Sequence, residues 1–255
     1  VVSTLVEAAI ESRADLRAAE RAGAGRVELC ASLGVGGLTP SGGVVRAVVA
    51  ASRLPVHVIV RPRGGGFVYD GDDVEAMLHD IALARSLGAH GIVSGALATT
   101  RSIDAEVTRA LIEASAPLPF TFHRAFDLTP DLTDSLDILM SLGAARVLTS
   151  GGARRAWEGR VMLAELVHRA GRWITVLGGG AVRASGVADL VQATGLRELH
   201  LGPRLYARPS EADELKAVGI GRSWDHLEAT VLDEVEVAET VRAVATLAGT
   251  PYITG

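Results

Sequence analysis

A short apolar run followed by a longer amphipathic stretch recurs eight times along this chain. No other feature constrains the fold as much. The runs are Thr4–Ile10, Arg26–Cys30, Val56–Arg61, Gly91–Ser94, Phe120–His123, Arg146–Thr149, Ile174–Leu177 and Glu198–Leu201. Each has strand length, and most are rich in Val, Ile or Leu. The stretches between them read as helices. In "DDVEAMLHDIALARSLGAHG" Asp72 or Asp73 is expected to cap the start and Gly88 to stop the helix. "TDSLDILMSLGAA" repeats the scheme with Thr133 and Gly143. Eight such units close a parallel sheet into a barrel with helices outside, the α/β TIM-type (β/α)8 barrel. A doubly wound open sheet is the alternative. It needs an early Gly-rich fingerprint, and none follows the first strand.

No linker-like tract or change of composition divides the chain, so residues 1–255 are expected to form one domain. The barrel should occupy about 4–205. A C-terminal extension, 206–255, should hold a loop over Pro203–Gly221 and a helix from about Val235 to Leu247. Val237, Val241 and Val244 share one face of that helix and are expected to pack on the chain's own barrel. Aromatics are only 4% of residues, so Ala, Val, Leu and Gly do most of the packing. A net charge of -5 without a basic block argues against nucleic-acid or acidic-membrane partners. No apolar run reaches the ~18 residues of a membrane span. The start lacks the pattern of a signal peptide. Cys30 is the only cysteine, which excludes an internal disulfide and fits a reducing cytoplasm.

Alternate residues of a barrel strand point inward. With the valines, leucines and phenylalanines facing the helices, the inward set is Glu7 and Ala9, Glu28 and Cys30, His57, Ile59 and Arg61, Thr121 and His123, and His200. Barrel interiors are otherwise filled by branched apolar residues, and buried charges need mutual pairing. Such a cluster is a candidate acid–base site. Glu28 or Glu7 is the candidate general base, and His123 the candidate acid or polariser. Arg61 and Arg63 would neutralise a substrate carboxylate or phosphate. Asp127 would orient His123 or Arg124, or simply cap a turn, and His200 completes the set. His57 reads rather as a core histidine. "TSGG" (Ser150, Gly151, Gly152) and "LGGG" (Gly178, Gly179, Gly180) end two late strands. Their backbone N–H groups are candidates for holding an anion, aided by Arg183 or Arg204.

"VELC", "GGLTPSGG", "PVHVIVRPRGGGFVY", "TFHRAFD", "RVLTSGG" and "GGGAV" together resemble the CutC copper-homeostasis family, in that family's order, over about residues 5 to 205. The resemblance implies a TIM-type barrel, a cytoplasmic homo-oligomer and a link to copper, with Cys30 as a metal ligand. It brings no established reaction. Family members often carry a cysteine two residues after the first-strand glutamate, where this chain has Ala9. Cu(I) favours two or more soft ligands, and Met77, Met140 and Met162 lie in helical patterns. Two readings therefore stand: copper handling, and a metal-independent barrel enzyme acting on a small anionic metabolite.

Overall fold

The computed structural model describes residues 4–202, 204–205 and 230–247. All eight runs are strands: β1 (Leu5–Ile10), β2 (Arg26–Leu29), β3 (Val56–Ile59), β4 (Gly91–Ser94), β5 (Phe120–Phe122), β6 (Arg146–Thr149), β7 (Thr175–Gly178) and β8 (Glu198–Leu201). They pair in parallel and in sequence order, and β8 returns to β1 to close the barrel. The register sets Glu7 level with Arg26 on one side and His200 on the other. Glu28 is level with Ala9 and His57.

The helices are α1 (Arg13–Arg21), α2 (Gly42–Val49), α3 (Gly71–Ser86), α4 (Ala105–Ser115), α5 (Leu132–Leu142), α6 (Arg160–Ala170) and α7 (Ala184–Thr194). α8 (Glu234–Leu247) follows β10 (Thr230–Val231), which pairs antiparallel with β9 (Arg204–Leu205). Ser12, Ser41, Asp70, Asp104 and Asp131 cap their helices through the side chain. Two expected caps thus move upstream. Asp70, not Asp72 or Asp73, accepts from Asp73 N at 2.9 Å. Asp131, not Thr133, accepts from the amides of Thr133 and Asp134. In each case the acceptor precedes the free amides of the first turn by the two or three residues a cap requires.

α8 is more than an extension. It packs against α7, α1 and β1 and fills the eighth place in the helical ring. Val237, Thr240 and Val244 are buried there, and Val241 is partly buried beside them. The loop expected over 203–221 lies, apart from 204–205, outside the described residues.

The strands divide their side chains as the alternation requires. Val27, Leu29, Val56, Val58, Phe120, Phe122, Leu199 and Leu201 join one large core between strands and helices. Met77 is buried in that core, and Met140 and Met162 pack against it. Cys30, Ile59 and Val93, with Leu33 against them, form a separate small cluster. The rest of the interior combines the apolar Ala9, Leu148 and Leu177 with a set of buried polar side chains. Among the described residues no helix is long and apolar enough to cross a membrane.

Candidate functional site

The barrel interior holds a continuous network of charges. Arg26, Arg146 and Glu198 open strands β2, β6 and β8. The Arg26 guanidinium donates to Glu7 and, at 2.6 Å, to Glu198. Arg146 donates to Glu198 at 2.9 Å. Further along the strands, His200 Nδ1 lies 2.7 Å from Glu7 Oε1, and its Nε2 lies 3.8 Å from Glu28 Oε2. Three carboxylates thus face two guanidiniums and one imidazole. Arg26, Arg146 and Glu198 were not among the residues singled out from the sequence. The signal was present: Arg26 stands two residues before Glu28, and Glu198 two before His200, so each shares the inward parity.

These neighbours drive the two glutamates apart. Burial opposes ionisation of Glu7, but His200 and Arg26 outweigh it and hold the carboxyl well below the usual range. Burial also dominates at Glu28. There Glu7 adds to it, His200 opposes it, and the carboxyl is raised. Burial alone would discharge His200, yet Glu28 and Glu7 raise its pKa. Two carboxyls driven in opposite directions around one imidazole give a charged Glu7 and a more basic Glu28, the pattern of paired groups suited to acid–base work.

His57 and His123 are the opposite case. Burial lowers both to about 3, with Arg61 contributing at His123, so both rings are neutral at pH 7. His57 faces Gly91 closely: a Cβ at that glycine would lie 2.6 Å from the ring. His123 precedes a 3-10 turn over Arg124–Leu128, and its Nδ1 accepts the Ala125 amide at 3.4 Å. Arg61 is buried and donates to the carbonyls of Val35, Gly37 and Gly65. Arg63 lies outside this interior, pairing with Asp73 at the surface and stacking on Tyr69.

Asp127, in the turn after β5, reaches the loop after β6. Its carboxylate accepts from Thr149 Oγ1, from the amides of Ser150 and Gly152, and from Arg124 and the Ser150 hydroxyl. The Gly151 amide donates to Thr149 Oγ1. The N–H groups expected to hold an external anion are therefore already bound to acceptors within the chain. Asp127 does not orient His123; it orients Arg124. Gly151 has φ +72, and a Cβ there would come within 2.5 Å of the Gly159 carbonyl, so the loop closes on itself. In the second loop the Gly179 amide donates to the Thr149 carbonyl, and the missing side chain makes room for Leu148. Gly178 lies within β7, and Gly180 has φ +97. Arg183 donates to the Val182 carbonyl. The Arg204 side chain lies outside the described residues. Asp127→Ala should cost about 1–3 kcal/mol, because the amides of Ser150 and Gly152 lose their acceptor. Urea denaturation would show it as a lowered midpoint.

Cys30 is buried, with its thiol 3.4 Å from Glu28 Oε2. Burial and Glu28 push the thiol well above its ordinary range, so it is a thiol rather than the thiolate that binds metal. Ala9, level with Glu28, offers no second sulfur, and the three methionines lie with the outer core. This donor set does not suit tight Cu(I) binding.

The motif order and the barrel agree with a match to the CutC family model over residues 4–204. The chain belongs to the CutC family. A CutC protein of Pasteurella multocida is 44% identical over 211 residues, which is 82% of this chain and 86% of that one. A Mus musculus relative named as a copper homeostasis protein cutC homolog is 38% identical, covering 94% of this chain and 89% of its own. Among solved structures, a Streptococcus agalactiae protein described as a CutC is 36% identical with a TM-score of 0.74, covering 78% of this chain and 98% of that one. Phosphoribosylanthranilate isomerase from Pyrococcus furiosus shares only the fold, with a TM-score of 0.56 at 15% identity.

Proposed function

We propose that this CutC-family chain serves copper homeostasis, the role its mammalian relatives carry in their names. The observation that carries this reading is the family match across the whole barrel. Copper is cargo in this reading, held weakly or shared between subunits, because Cys30 is the chain's only thiol and is kept protonated by burial and Glu28. Titration of the reduced protein with Cu(I) under a competing chelator tests it. Weak binding is expected. Tight binding of one copper per chain, abolished by Cys30→Ser, would restore a dedicated copper site. The chain is cytoplasmic and forms a dimer or larger assembly in this reading. Light scattering at micromolar concentration should give at least twice the chain mass, and a monomeric mass would refute it.

The opposed glutamates favour a second reading, a metal-independent enzyme on a small anionic metabolite. Glu28 is the general base, with His200 and Glu7 setting its proton affinity and His123 polarising the substrate. Positioned proton transfer contributes about 10²–10⁴-fold in rate. Glu28→Gln should therefore abolish most turnover while leaving the thermal midpoint near that of the parent protein. Normal turnover by that variant would rule the reading out.

A further inference from the structure

Arg61 is a buried cation that forms no ion pair among the described residues. Only 4% of its surface is exposed. Its Nη atoms donate to three backbone carbonyls, and among the described residues no carboxylate pairs with it. Its Nε has no hydrogen-bond partner among those residues, and neither has His123 Nε2. Arginine cannot shed its proton, and a guanidinium out of water is stable only against an anion or a full set of acceptors.

Both groups flank the Phe67 ring. The Arg61 guanidinium carbon is 4.9 Å from the Phe67 ring centroid, and the His123 ring centroid is 4.8 Å from it. Because His123 Nδ1 accepts the Ala125 amide, the single proton of the neutral ring sits on Nε2 and makes it a donor. One fixed positive charge and two N–H donors suit the two oxygens of a carboxylate monoanion better than a phosphate dianion, which needs more donors and more charge. The turn beside them faces open space on its outer side, while its Gly65 carbonyl accepts from Arg61. Side chains added at Gly64, Gly65 or Gly66 would meet nothing within 4 Å, and the next residue is Phe67.

We propose that Arg61 and His123 form the carboxylate-binding position of this barrel, covered by the turn at 64–66 and the Phe67 ring. It deepens the enzyme reading by naming the ligand class, and rests on that reading for the reaction but not for the binding. Formate is the smallest probe. Titrated at constant ionic strength against chloride, it should raise the thermal midpoint and shift the His123 Nε2–H resonance, both saturably. His123→Phe, which keeps a ring in place, should weaken formate binding at least tenfold. Phe67→Ala, which leaves both donors intact, should speed solvent exchange of the Nε2 proton. Formate acting no differently from chloride, or binding equally well to His123→Phe, would overturn the proposal. Saturable formate binding together with normal turnover by Glu28→Gln would sink the enzyme reading and leave the binding position standing.

Discussion

Glu7→Ala is expected to destabilise the fold by about 3–5 kcal/mol, the usual cost of leaving a buried charge without its partner. Glu7 is 1% exposed and accepts from both Arg26 and His200. Removing it leaves Arg26 with Glu198 alone and takes from His200 the carboxylate that holds its Nδ1. A typical domain has about 5–15 kcal/mol in total, so the variant should unfold at a much lower urea concentration. Arg169→Ala is the control. It breaks an exposed pair with Asp137, and exposed pairs contribute little. Equal urea midpoints for Glu7→Ala and the parent protein would show that the interior network is not a source of stability.

Mild acid should act almost as strongly. His57 and His123 have pKa values near 3 in the folded chain against an ordinary 6.5. Above pH 6.5 both rings are neutral, folded or unfolded. Between 6.5 and 3 the unfolded chain takes up protons that the folded chain refuses, so stability falls as pH falls. Each histidine loses about 1.4 kcal/mol per pH unit in that window, or about 5 kcal/mol for the pair between pH 6.5 and 4.5. The depressed carboxyl of Glu7 extends the loss to still lower pH. His200 works in the other direction: its raised pKa gives stability that is present below 6.5 and lost as pH rises through the folded value. Maximal stability is therefore expected near neutral pH. Urea midpoints at pH 7 and pH 5 check this, and His57→Asn with His123→Asn should flatten the difference. Equal midpoints in the parent protein at the two values would contradict it.

The barrel was legible because strand alternation and helix periodicity are local signals repeated eight times, and no other closed arrangement buries eight such strands. The inward parity of Glu7, Glu28, His57, His123 and His200 followed from the same period of two. The single thiol was plain from composition, and its missing partner at Ala9 came from the resemblance to the CutC family. Partners within the barrel are another matter, because they depend on which strands meet across it. Sequence alone could not show that Arg26 bridges Glu7 and Glu198, that Asp127 occupies the amides of Ser150 and Gly152, or that Arg61 spends its Nη groups on carbonyls and keeps Nε apart. The last helix showed an apolar face in sequence, but only the ring of neighbours made it the eighth barrel helix. Period and burial are properties of a segment, whereas charge pairing and proton affinity belong to residues far apart in the chain that the closed barrel brings within 4 Å.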